Sequence, residues 1–298
     1  MISLTELHKN AATRDGVGSA AKTHSRSVGG LVRRHPLVSF FVLSCLLSWW
    51  AVVPFAMGLS PVPVAGFGPF LAALIVLALT EGRVGARALL RSMVKWRVPV
   101  RAYVLAIGLP LLLSGSAIVA DLALGAEMPP SSDLAAWSVI PVAAVLFLLV
   151  PGIGGAWEEP GWRGYALPRL ERIFGAVTGP LVLGVLWVVW HGPLFFAGQI
   201  IWTDVLVIVA ASVVIASVFH TARESVLVVM IMHAANNAVG GGFASQLFHG
   251  ADLTRLGLLT ALAWWSVAAV VIIRTRRSSR EIAHVLGRSP SRRSLADD

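Results

Sequence analysis

The sequence predicts an all-α polytopic membrane protein, with about eight transmembrane helices around a polar intramembrane cavity and both termini in the cytoplasm. Three observations predict it. Hydrophobic residues make up 56% of the 298-residue chain and charged residues only 13%, against a usual charged share of about 25%. The mean hydropathy is +0.78, and a soluble globule that apolar would expose large sticky patches. Finally, the basic residues gather in alternate loops, as they do on the cytoplasmic side of a membrane. The same numbers exclude a disordered chain and a fibre, and a lone cysteine, Cys45, excludes a disulfide scaffold. The net charge of +9 invites a nucleic-acid partner, but membrane topology accounts for it, so no nucleic acid is expected.

Apolar runs long enough for a hydrocarbon core of about 30 Å fall near 37–59, 63–80, 102–124, 138–157, 177–197, 202–219, 225–246 and 256–273. With these eight spans, 23 of the 24 Lys and Arg residues lie in the two tails and in the 2–3, 4–5 and 6–7 loops. Only Arg255 falls on the other side, among Asp121, Glu127, Asp133, Asp204 and Asp252. The positive-inside rule then puts both termini in the cytoplasm. Residues 1–35 are polar and lack a signal-peptide core, so they are expected to be a disordered basic tail. Residues 36–273 are the membrane domain, and 274–298 a second basic tail able to touch anionic lipid. Between spans 2 and 3, Arg83, Arg87, Arg91 and Lys95 recur every four residues, the stripe of a helix lying in the cytoplasmic interface.

Three polar clusters interrupt the apolar pattern, and ionisable residues inside spans are expensive and usually functional. The first is Trp157-Glu158-Glu159-Pro160-Gly161-Trp162-Arg163, at the end of span 4. On a helix Glu159 and Arg163 are four apart and can pair, whereas Glu158 points elsewhere. This reads as Glu159 held by Arg163 and Glu158 left for chemistry, against the plainer reading of a salt bridge that pins a helix end. The second is Trp187-Val188-Val189-Trp190-His191-Gly192-Pro193, which places His191 about 16 Å into span 5. The third is His233-Ala234-Ala235-Asn236-Asn237, with His233 and Asn237 on one face of span 7 and His233 about 12 Å deep. Either histidine can also be read as a buried ring bonded to a neighbouring helix, and Asn236 as interhelical glue. Together, a carboxylate and two imidazoles suit hydrolysis, with a base for water and donors for an oxyanion. Depth is the difficulty. Counted from Ser138, Glu158 lies about 30 Å along its helix, near the surface. Either span 4 starts later or the Gly/Pro-rich stretch folds back toward the cavity.

These clusters, spread over 137–246, resemble the signature of the CPBP intramembrane protease family, the CAAX-prenyl-protease and bacteriocin-processing (Abi) group. Its double Glu with Arg four later matches Glu158, Glu159 and Arg163; its aromatic-xxx-His matches Trp187 and His191, with Trp where Phe is commoner; its His-xxx-Asn matches His233 and Asn237. The resemblance implies an eight-helix membrane endopeptidase acting on a membrane-associated or lipidated peptide. Eukaryotic members trim the last three residues from prenylated proteins. It implies that Glu158 and His191 activate water, that His233 and Asn237 stabilise the oxyanion, and that Glu159 and Arg163 give structural support. Physically, Glu158, His191 and His233 offer three ligands to a divalent metal such as zinc, and the same residues can serve as an acid/base site without one. No serine or aspartyl intramembrane-protease motif is present. A non-catalytic immunity or scaffold protein on the same fold is the alternative. The expected partners are membrane lipid and a peptide or protein substrate, in what the tryptophan-rich spans and basic tails suggest is a bacterial cytoplasmic membrane.

Overall fold

A computed structural model describes residues 28–131 and 136–287. Every regular element among them is helical. In chain order these are α1 (Val28–Arg34), α2 (Pro36–Trp49), α3 (Val52–Ala56), α4 (Gly68–Thr80), α5 (Gly82–Met93), α6 (Val100–Ala123) and α7 (Ile140–Leu149). There follow α8, a run over Ala156–Trp190, then α9 (Gly192–Phe196), α10 (Trp202–Thr221), α11 (Val226–Asn236) and α12 (Gly250–Gly287). α11 continues as a π-helix over Asn237–Ala244.

Among the described residues five runs are long and apolar enough to cross a membrane: Pro36–Ala56, Val100–Ala123, Trp202–Thr221, Gly250–Glu281 and Ala156–Trp190, the last bent at Gly175. Their outer faces carry exposed Val104, Leu112, Val119, Leu262 and Val270, the pattern of helices solvated by lipid rather than water. α4, α7 and α11 are apolar but shorter. α2 packs on α4, α8 on α10, α10 on α12, and α11 on α6. Small residues let these helices approach: Ala72, Ala73, Ala106 and Ala210 are fully buried, as expected where van der Waals contact drives association in lipid.

Several sequence boundaries need correction. α1 occupies 28–34 of the expected disordered tail, and α12 runs unbroken through 274–287 of the other; residues 1–27 and 288–298 lie outside the described set. Span 4 does not reach Glu158 as one helix. α7 stops at Leu149, and Gly152, Gly154 and Gly155 then take positive φ, so the chain turns and α8 begins at Ala156. Arg163, assigned to a cytoplasmic loop, is inside α8 and fully buried.

The fold of α8 resolves the depth difficulty. Gly175 has φ 85° and ψ 167°, a conformation open to glycine alone, and there the helix doubles back. A Cβ on Gly179 would lie 2.8 Å from the Cα of Glu171, although eight helical residues span about 12 Å. The two arms are therefore antiparallel. Glu158 stands seventeen residues before the hinge and His191 sixteen after it, about 25 Å along either arm. They come out level.

The stripe of Arg83, Arg87 and Arg91 does fall on a helix, α5. Arg83, Arg87 and Arg91 are exposed on it and Leu89 is buried. It is tied to the bundle by Arg169, which bonds Glu81 at 2.5 Å, and by the Ser225 hydroxyl, which donates to the Lys95 carbonyl at 2.6 Å. Arg255, the one cation that the charge count sets apart from the rest, meets Asp121 at 2.5 Å and Asp252 at 2.9 Å. The pair with Asp121 ties α12 to the end of α6, while Asp252 pairs with Arg255 within α12.

Candidate active site

Glu158 and Glu159 are adjacent but belong to different networks. Glu158 Oε2 accepts hydrogen bonds from two indoles, Trp187 Nε1 at 2.8 Å and Trp162 Nε1 at 3.1 Å. Glu159 Oε1 accepts from Arg163 Nη1 at 2.8 Å and meets His233 Nδ1 at 2.7 Å. All four of Glu158, Glu159, Arg163 and His233 are buried. The spacing argument thus gives the right pair in Glu159 and Arg163, but Glu159 does more than pair with Arg163. It also holds the imidazole from α11.

His191 ends the second arm of α8. Its Nδ1 lies 2.8 Å from the Trp187 carbonyl oxygen, which can only accept, so Nδ1 carries the proton and Nε2 is left with its lone pair. Asn237 is fixed at both ends of its amide. It donates to the Gly154 carbonyl at 3.1 Å and accepts from Asn236 Nδ2 at 3.1 Å.

Trp187 joins these groups. Its ring lies 5.5 Å from those of both His191 and His233, and the Arg163 guanidinium sits 4.4 Å over its face, within cation–π range. Sequence reading treats Trp187 only as the aromatic residue four before His191. The second donor, Trp162, lies four residues after Glu158, the same helical spacing that pairs Glu159 with Arg163, so the sequence does carry a signal for it.

A cavity of about 80 Å³ opens among these elements, lined by Trp187, His191, His233, Asn236 and Asn237, with apolar walls from α10. That is room for several waters. The two histidines and Asn237 therefore converge on one space. Glu158 is not among its lining residues, and its Oε2 is bonded to the indole of Trp187, which is. The three-ligand metal set is not assembled either. Among the described residues no group of three His, Cys, Asp or Glu side chains is arranged to hold an ion. The arrangement does not fit zinc on Glu158, His191 and His233.

The turn before α8 closes the site from one side. Gly155 has φ 73°, and a Cβ there would fall 2.4 Å from His233 Nε2 and 2.9 Å from Asn237 Nδ2. Gly155→Ala is expected to cost about 1–3 kcal/mol through overpacking and left-handed strain, read as a lowered thermal midpoint in detergent. An unchanged midpoint would mean that the turn is not packed against His233.

What fold and site define together is a helical integral membrane protein with a buried Glu-Glu-Arg, His and His-Asn cluster beside a small polar cavity. Comparison with known proteins narrows this. Residues 137–239 match the family described as type II CAAX prenyl endopeptidase Rce1-like, and every motif residue from Glu158 to Asn237 falls in that segment. CAAX prenyl protease 2 of Methanococcus maripaludis is 31% identical over 101 residues, 30% of this chain and 36% of that protein. The match thus spans about a third of the length of that curated relative. Over this segment the chain is similar to the CPBP intramembrane proteases, as the motifs indicated.

Proposed function

We propose that the chain is an intramembrane endopeptidase of the CAAX-protease type, hydrolysing a peptide bond in a membrane-associated or lipidated peptide or protein. The observation that carries this reading is the meeting of three motif segments at Trp187, within the segment similar to CAAX endopeptidases. In this reading Glu158 and His191 together take a proton from water, whose oxygen bonds the scissile carbonyl carbon. His233 and Asn237 donate to the oxyanion, and the proton passes to the leaving nitrogen as the C–N bond breaks. Glu159 and Arg163 hold His233 and the helix in place. Residues 137–246 form the catalytic core of a membrane domain spanning 36–273. Counting α7 with the first arm of α8 as one interrupted span gives eight crossings, with both termini in the cytoplasm and the chain in a bacterial cytoplasmic membrane.

A lipidated substrate is supported by an apolar groove of about 600 Å³, lined by Trp49, Phe55, Val189, Pro193 and Phe196, next to His191 in the chain. One observation favours the alternative, a non-catalytic immunity or scaffold protein: two indoles hold Glu158 off the cavity wall. Cleavage products mapped by mass spectrometry in membranes carrying wild type or Glu158→Ala separate the two. Products present with wild type and absent with the variant are expected; identical profiles would sink the hydrolase.

Trp187→Phe supplies the commoner family residue but removes the donor to Glu158. Turnover on a mapped substrate is expected to fall about tenfold with KM unchanged, from the loss of one hydrogen bond to a carboxylate. An unchanged kcat would show that Trp162 alone positions Glu158.

A further inference from the structure

A second chamber of about 330 Å³ adjoins the site cavity, and its volume is that of a small-ligand pocket. Val207, Asn236 and Trp264 line both spaces, so the two share a wall. Two polar groups on its wall are buried and have no hydrogen-bond partner: Thr203 Oγ1 and Trp264 Nε1. Thr203 is 0% and Trp264 1% exposed. Unpaired groups at that depth cost free energy unless something bonds them. Trp264 offers an N–H, the complement of a peptide's carbonyl, while the Thr203 hydroxyl packs against Gly257. Among the described residues the wall carries a single charged group, Asp204, and no Lys, Arg or His.

We infer that this chamber binds the part of the substrate on one side of the scissile bond, a short peptide segment with a preference for a basic residue. The inference rests on the hydrolase reading and adds a substrate class to it. Trp264 donates to a carbonyl of the segment, and Asp204 on the chamber wall meets its side chain. Asp204 also accepts a hydrogen bond from the Ile201 amide at 2.7 Å, which keeps its carboxylate in place. A basic side chain gains from that charge in a partly desolvated space, and an acidic one is repelled.

The test uses the full chain in nanodiscs, titrated with acetylated and amidated Ala-Lys-Ala, Ala-Ala-Ala and Ala-Glu-Ala and followed by native mass spectrometry. The expected order is Lys tightest and Glu weakest, alike in wild type and Glu158→Gln. Gly240 lies on the chamber wall, and the nearest atom to a Cβ there is Ser114 Oγ at 3.8 Å. Gly240→Leu therefore fills the space with little backbone disturbance and is expected to weaken binding at least about tenfold, while Gly240→Ala does not. Asp204→Asn keeps the bond to Ile201 but should abolish the preference for Lys over Glu. Absence of binding, equal binding to Gly240→Leu, or a preference for Glu would overturn the chamber assignment. If Glu158→Ala abolishes cleavage while these titrations fail, only the chamber falls. If tripeptides bind as expected and Glu158→Ala still cleaves, only the hydrolase reading falls.

Discussion

Glu158→Gln is expected to lower turnover about 10²–10⁴-fold, the range for removing a positioned acid/base group, while leaving the fold intact. The glutamine oxygen can still accept from the Trp162 and Trp187 indoles, so neither donor is orphaned and the packing volume hardly changes. The carboxylate's proton affinity is what disappears. His191→Ala should match it in direction, since Nε2 is the free base on the cavity wall. Rates in proteoliposomes, set beside thermal midpoints in the same preparation, check both. A glutamine variant with near-normal turnover would remove Glu158 from the chemistry.

Arg163→Ala should be the most destabilising single change at the site, by about 3–5 kcal/mol. It strands Glu159, fully buried, with His233 as its remaining partner. It also removes the guanidinium from the Trp187 face. The double variant Glu159→Gln/Arg163→Met exchanges the ion pair for neutral groups of similar size and is expected to recover most of the stability. It should not recover activity to the same degree, because Glu159 also orients His233. Chemical or thermal unfolding of the two variants, paired with turnover, separates the structural role of Arg163 from the positioning role of Glu159. Stability unchanged in Arg163→Ala would mean that water reaches the pair.

How much of this is legible in the sequence depends on the range of the interaction. The long spans announce themselves by length and hydropathy, and the Glu159–Arg163 pair by helical spacing. The contact from Trp187 to Glu158 spans 29 residues, and that from His233 to Glu159 spans 74. No local period reports either. The division of the two glutamates between two networks is readable from the helical wheel, but not that His233 joins Glu159. Span 4 misleads because its apolar run is continuous, while three positive-φ glycines end the helix at Leu149. Arg163 misleads because charge counts as loop, whereas here a buried carboxylate makes it a helix-interior residue.

Because both limbs of α8 are measured from a single fulcrum at Gly175, their lengths are bound to one another. Inserting or deleting one residue in either limb would slide its motif by about 1.5 Å and swing it through about 100°, parting the indole from the carboxylate it serves. Compatible length changes must restore both rise and phase, so they come close to whole helical turns matched on each side of the bend, or lie outside the motifs altogether. Freedom to drift in sequence length is thereby pushed to the tails and the outer connections, and the bend acts as the ruler for the whole motif cluster.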